Sequence, residues 1–386
     1  MSREFDIIVY GATGFTGRLV AEYLAGTYPD LNWAMAGRSE AKLAQIRDEI
    51  GAPAILPLVT ADASDPAGLA AMAGRAQVVL TTVGPYQLYG SDLVAACAAA
   101  GTAYVDLCGE PAWMREMIDA HAAAATASGA RIVFSCGFDS IPFDLGVHWL
   151  QQLCRTRFGS PAPRIRGRVR AMKGGFSGGT AASLKATLAA AARNPALLKV
   201  LASPFGLTPG FDGPDQPNGL LPYYDNAVSA WVAPFIMAPI NTKNVHRTNQ
   251  LLGHAYGADF RYDEMMIAPG LGELGKAAAE AIAKANPLSD AKGPKPGEGP
   301  SREERESGFY DILFIAEYPD GRSARLSVKG DRDPGYGSTS KMIAESALCL
   351  VRDVRGEGGI WTPGALMADP LRARLEAHAG LSFSEE

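Results

Sequence analysis

The sequence predicts an α/β fold, a doubly wound parallel sheet at the N-terminus followed by a second, α+β domain. Three observations predict it. Short apolar runs alternate with helix-like segments over the first 150 residues. That alternation changes character after about Gly146. The chain has 386 residues, more than the roughly 250–300 at which a single core stops growing.

Phe5–Tyr10, Trp33–Ala36, Ile55–Val59, Val78–Val83, Tyr104–Leu107 and Ile132–Ser135 read as strands. Thr16–Ala25, Glu40–Ile50, Leu93–Ala100 and Trp113–Ala127 read as helices between them. Continuous apolar strands divided by helices belong to a parallel sheet covered on both faces. Six of them match a doubly wound sheet. Further on, Arg164–Met172 alternates as a strand does, and Ser177–Arg193 reads as a helix opened by Gly178 and Gly179. Residues 203–224 are a loop rich in proline and glycine, and 288–308 a polar excursion. Tyr310–Tyr318 and Ala324–Lys329 are strands joined by the turn Pro319-Asp320-Gly321. Lys341–Val351 is an amphipathic helix. The expected division is 1–146, 147–334 and 335–386.

Hydrophobic residues make up 47% and charged residues 20%, an ordinary globular balance. A net charge of -5 gives no reason to expect nucleic acid. Cys97, Cys108, Cys136, Cys154 and Cys349 lack metal-site spacing, so no metal is expected. An odd, scattered set fits free thiols in a reducing cytoplasm. The N-terminus enters a strand at once, which leaves no room for a signal peptide. No apolar stretch approaches the roughly 18 residues of a membrane span.

Gly11-Ala12-Thr13-Gly14-Phe15-Thr16-Gly17 leaves the first strand and opens a helix. In that setting Gly11 permits a tight turn, Gly14 admits a pyrophosphate, and Gly17 lets helix and strand pack closely. The helix start offers free N–H groups to the anion. The first domain therefore reads as a Rossmann dinucleotide-binding domain. Enzymes that use NAD place an acid at the tip of the second strand. Here stand Arg38 and Ser39. Arg38 suits a 2′-phosphate, and Ser39 suits a helix cap that also donates to it. The expected cofactor is NADP(H). Asp62, after the third strand, is an acceptor for the adenine amino group. Val83, Gly84 and Pro85, after the fourth, lie where the nicotinamide half arrives. Candidate proton donors follow at strand ends, where open α/β sheets bind ligands. They are Tyr86, Asp139 and Ser140, with Tyr86 the best donor by its chemistry; Glu110 also stands at a strand end.

These segments, with Tyr104-Val105-Asp106-Leu107-Cys108-Gly109-Glu110 and Ser135-Cys136-Gly137-Phe138-Asp139-Ser140-Ile141-Pro142, occur in order. Together they resemble the saccharopine dehydrogenase-like oxidoreductases, and more closely the branch of the mycobacterial trans-acting enoyl reductases. Ser177-Gly178-Gly179-Thr180, Gly335-Tyr336-Gly337 and Gly359-Ile360-Trp361-Thr362-Pro363 also resemble that branch. The resemblance implies a substrate domain, a C-terminal helix returning to the first domain, and hydride transfer. The true saccharopine reductases carry Leu-Asp-Pro-Gly where this chain has Phe138-Asp139-Ser140-Ile141-Pro142. The primary reading is therefore NADP-dependent reduction of a C=C bond in a hydrophobic or acyl substrate, free or carrier-bound. The alternatives are imine or amino-acid reduction, and a non-catalytic, nucleotide-binding, lipid-associated protein.

Arg164, Arg166, Arg168 and Arg170 share one strand face. They suit either a solvated edge strand or a phosphate or acidic-carrier site. Ser177–Thr180 suits an N-cap or an anion site. Ala227–Ile240, AVSAWVAPFIMAPI, is too short to span a bilayer. It suits a core, a subunit interface, an acyl pocket or a membrane surface. A homodimer and a peripheral membrane contact both stay open.

Overall fold

The structure, a computed structural model, describes residues 3–174, 195–285 and 299–386. In chain order its strands are β1 Phe5–Tyr10, β2 Trp33–Gly37, β3 Leu58–Thr60, β4 Ala76–Thr81, β5 Ala103–Val105 and β6 Arg131–Val133. Then follow β7 Arg164–Lys173, β8 Tyr223–Asp225, β9 Ala230–Pro234, β10 Arg261–Ile267, β11 Phe309–Glu317 and β12 Ser323–Gly330. The last are β13 Gly359–Trp361 and β14 Leu381–Glu385.

The first sheet runs β13-β6-β5-β4-β1-β2-β3, all parallel. The order reverses on either side of β1 and β4, so their carboxyl ends open the crevice where doubly wound folds bind ligands. The third strand is shorter than expected. Pro53 and Pro57 flank Ile55, which stands 89% exposed in a turn, and pairing starts only at Leu58. A seventh strand, β13, joins beside β6 from the far end of the chain.

The second sheet is mixed, in the order β14-β12-β11-β7-β10-β9-β8. Here one expectation is overturned. The arginine-rich β7 is no edge strand; it lies between β11 and β10. Its arginines are not a phosphate site either, because carboxylates from neighbouring strands neutralise them. Arg168 is fully buried and meets Asp225 at 2.7 Å and Asp263 at 3.0 Å. Asp263 also holds Arg164, Glu317 holds Arg166 at 2.9 Å, and Asp311 holds Arg170 at 2.7 Å. Ala227–Ile240 supplies core: Val232, Ala233, Phe235 and Ile240 are buried. The expected helix Ser177–Arg193, with Ser177–Thr180, lies outside the described residues.

The C-terminal segment stitches the two sheets together. The helix Thr339–Arg352 packs on the helix Phe15–Thr27, where buried Glu345 accepts from Tyr23 and Tyr28 at 2.7 and 2.5 Å. β13 extends the first sheet and β14 pairs with β12 in the second. The helix Ile141–Phe158 starts at the crevice and packs along β11 and β12. Its Asp144 accepts from Thr248 at 2.6 Å and from the Gly364 N–H at 2.7 Å, joining three distant segments. All five cysteines are free and buried. Among the described residues no helix is long and apolar enough to cross a membrane.

Candidate active site

The glycine turn is built by close contact that leaves no room for a Cβ at Gly11 or Gly17. Gly11 takes φ +91°, and a Cβ there would lie 2.8 Å from both Thr82 Oγ1 and Val83 Cγ2. A Cβ on Gly17 would lie 2.1 Å from Gly11 O, so helix and turn touch with no space to spare. Gly14 differs: a Cβ there would meet only Gly11 O, at 3.3 Å, and its outer side is open. Gly14 caps the helix Phe15–Thr27 without any side-chain hydrogen bond, and the first turn carries no acid. The result is a helix start with its dipole and N–H groups presented at an open surface. Ala12 is buried beneath the turn, while Thr13 and Gly14 are exposed at its rim.

Arg38 is exposed at the tip of β2, with no carboxylate in ion-pair distance among the described residues. Ser39 caps the helix Glu40–Glu49, accepting from Lys42 N–H at 3.4 Å. Thr13 Oγ1 stands 3.7 Å from where a Cβ on Gly37 would be, so its hydroxyl joins the same corner. Asp62 is half-buried nearby; hydrogen bonds from the backbone and side chain of Ser64 hold its carboxyl below the usual range, and Arg38 adds to this. An open glycine cradle, an exposed arginine without an ion pair among the described residues, and two hydroxyl groups fit a dinucleotide that carries a 2′-phosphate.

Across the crevice, the loop after β4 is held from below. Glu110 is buried, and its carboxylate accepts from the N–H groups of Tyr86 and Gln87, each at 2.9 Å. It thereby caps the short helix Tyr86–Tyr89 and sets the path of Val83, Gly84 and Pro85. Gly84 is exposed and Pro85 half-buried along the crevice edge. The Tyr86 hydroxyl does not face that edge, contrary to the sequence expectation. It donates to Thr81 O at 3.3 Å and accepts from Leu107 N–H at 3.0 Å, with the ring packed on Trp113. Burial pushes this phenol well above its ordinary value, so its proton is held tightly.

Asp106 ties the ends of β5 and β6 together. It accepts from Cys108 N–H at 3.0 Å, Ser135 N–H at 2.9 Å and the Tyr104 hydroxyl at 2.9 Å. This clamp positions Gly109 and the segment Cys136–Ser140. Asp139 stands at its tip, half-buried. Its Oδ2 is 3.6 Å from where a Cβ on Gly109 would be, and its carboxyl has no hydrogen-bond or ion-pair partner among the described residues. Burial pushes it up to about 7. Ser140 is fully buried; its hydroxyl accepts from Asn244 Nδ2 at 2.8 Å and its N–H donates to Ser135 O.

Asn244 is a residue that sequence reasoning missed. It belongs to the helix Ala238–Leu251, which is polar on every side and yet largely buried. Asn241 of the same helix donates to buried Glu264 at 2.9 Å. No apolar periodicity marks such a helix, because its partners come from distant parts of the chain.

Among known proteins, a putative trans-acting enoyl reductase of Mycobacterium tuberculosis is 43% identical over 99% of this chain and 97% of its own length. The chain belongs to the trans-acting enoyl reductase branch of the saccharopine dehydrogenase-like family. Trans-acting enoyl reductases of Mycobacterium bovis and Mycobacterium ulcerans are each 38% identical, covering 97% of this chain and 96% of theirs. Residues 7–133 match the saccharopine dehydrogenase NADP binding domain. Apo saccharopine dehydrogenase (L-Glu forming) from Saccharomyces cerevisiae shares the fold, with a TM-score of 0.58, 11% identity and 99% coverage of both chains. As a member of this family the chain is an NADP-dependent oxidoreductase.

The β2 tip gives a direct test of cofactor choice. Arg38→Ala removes one charge-assisted contact, which is worth about 1.5–3 kcal/mol. The preference for NADPH over NADH is expected to narrow by roughly tenfold or more. Fluorescence titration of both cofactors checks it; equal affinities in the unaltered protein would reject the assignment.

Proposed function

We propose that the chain reduces the C=C bond of an α,β-unsaturated acyl thioester with NADPH, and that Asp139 is the proton donor. The observation that carries the acid assignment is the Asp139 carboxyl, without a partner among the described residues and raised to about 7, at the carboxyl edge of the first sheet. An acid whose pKa sits near the working pH is well matched to proton transfer. The substrate class rests on the relatives, which are named as enoyl reductases.

Bound NADPH supplies the hydride that reaches the β-carbon of the substrate. Gly11–Gly17, Arg38 and Ser39 would hold its phosphates, Asp62 would stand at the adenine, and Val83–Pro85 would flank the nicotinamide half. Neutral Asp139 gives its proton to the α-carbon, so one proton and one hydride complete the saturated product. The resulting carboxylate is reprotonated through its solvent-reaching side. Ser140 and Asn244 position Asp139, and Tyr86 with Glu110 positions the loop opposite. The relatives are called trans-acting, which supports a substrate delivered on a separate carrier protein.

The test is a reductase screen following NADPH absorbance, with 2-enoyl thioesters set against keto acid plus amine pairs. Oxidation with the thioesters alone is expected. Turnover confined to the keto acid pairs would replace this reading with imine reduction, and no turnover with either would remove it. The pH profile follows from the same carboxyl. Asp139 must be protonated to act, so kcat is expected to be level below about pH 7. Above it, kcat falls about tenfold per pH unit. A rate that rises through this range would exclude a carboxylic acid donor.

A further inference from the structure

Beside the glycine turn lies a cavity of about 500 Å³. One wall is the turn itself, Thr13, Gly14 and Phe15, with Arg18 from the first helix. The opposite wall comes from the second domain, through Ser301, Arg302 and Arg305. The arm that carries them is held in place at several points. Ser301 and Glu304 form a reciprocal cap on the helix Arg302–Glu306. Gly299 lies so close to the Phe15 ring that a Cβ would stand 2.5 Å from it. Arg305 O accepts from Asp333 N–H at 3.0 Å, and Asp333 in turn caps the turn whose Tyr336 ring meets Phe15 at 4.8 Å.

Three arginines and one acid, Glu22, line this space. Two of the arginines are already compensated: Arg18 pairs with Glu49 and Arg302 with Glu306, at 2.8 and 2.9 Å. Arg305 is not. It is half-buried, donates to Pro300 O at 2.7 Å, and lies 5.6 Å over the Phe15 ring. No carboxylate is in ion-pair distance of it among the described residues. A guanidinium fixed over the Phe15 ring, without an ion pair and beside a helix start that no side chain caps, is the arrangement that takes a phosphate oxygen.

We infer that Arg305, reaching across from the second domain, is part of the cofactor's phosphate site, so that cofactor binding ties the arm to the nucleotide domain. This rests on the NADPH reading above. Thr13 borders both the cavity and the Arg38 corner, so the anion is a phosphate group of the cofactor, either the 2′-phosphate or the pyrophosphate.

The experiment titrates the full chain with NADPH and with NADH, by fluorescence, in the unaltered protein and three variants. Arg305→Ala is expected to weaken NADPH by about tenfold, the value of one charge-assisted contact. Arg305→Lys keeps the charge and is expected to recover part of the loss. Arg302→Ala, exposed and already paired, is expected to change affinity less than about twofold. A loss confined to NADPH identifies the 2′-phosphate; an equal loss for both cofactors identifies the pyrophosphate. Unchanged NADPH affinity in Arg305→Ala overturns the inference, as does an equal loss in Arg302→Ala. Failure of the unaltered protein to bind NADPH would instead overturn the cofactor reading and this inference with it. Thermal melting of each variant separates lost binding from lost fold.

Discussion

Asp139→Asn is expected to lower kcat for enoyl-thioester reduction by about 10²–10⁴-fold, the usual contribution of a positioned general acid. The amide keeps the shape of the side chain but has no acidic proton to give. Substrate KM and NADPH affinity are expected to change little, because the contact matters chiefly in the transition state. The fall in rate above pH 7 should vanish in the same variant. Tyr86→Phe provides the contrast. Its hydroxyl is used by Thr81 O and Leu107 N–H. Removing it leaves buried backbone groups without a partner, at a cost of about 1–3 kcal/mol in stability. Its kcat should stay within about threefold of the unaltered enzyme, well short of a lost general acid. Steady-state kinetics and thermal melts on the two variants decide the matter. A fully active Asp139→Asn enzyme with an inactive, well-folded Tyr86→Phe enzyme would transfer the acid role to Tyr86.

The glycine turn should separate binding from folding with equal clarity. Gly14→Val is expected to abolish binding of NADPH and NADH while leaving circular dichroism unchanged. Gly14 has an ordinary φ of -79°, and a Cβ meets only one atom within 4 Å, at 3.3 Å. The added methyl groups therefore fall in the open space meant for phosphate. Losing two charge-assisted contacts at about 1.5–3 kcal/mol each exceeds a hundredfold in affinity. Gly17→Val should behave differently, because its Cβ would press to 2.1 Å on a backbone oxygen. Helix and strand must then part, and the expected result is a lowered melting temperature or an insoluble chain. Unchanged NADPH affinity in a folded Gly14→Val protein would remove the phosphate site from this turn.

Several features were legible in the sequence because their causes are local. The alternation of apolar runs and helices reflects how many faces each strand buries, and that is written along the strand itself. The tight turn at Gly11 and the close contact at Gly17 need a missing Cβ, so glycine announces them. Arg38 is readable for a similar reason: it occupies the position after β2 where an acid would otherwise stand. The third strand begins at Leu58 and not at Ile55, because Pro53 and Pro57 weigh more than the apolar character of Ile55–Val59.

Other features came only with the tertiary structure. By itself the sequence determined the nucleotide domain, its glycine turn and its preference for a 2′-phosphate. These are signalled by residues within one strand–turn–helix unit and at the tip of β2, although Thr82 and Val83 from the end of β4 also press on Gly11. Tertiary structure alone decided that the β7 arginines are neutralised in mid-sheet, since their carboxylates lie between 57 and 216 residues away. It alone buried the polar helix Ala238–Leu251, whose Asn244 reaches Ser140 across 104 residues. It alone turned the Tyr86 hydroxyl inward and left the Asp139 carboxyl without a partner among the described residues. Which way a side chain points, and whether its charge is answered, depends on what the rest of the fold sets beside it. A strand-end position names the candidates, and the desolvation and hydrogen bonds supplied by distant segments choose among them.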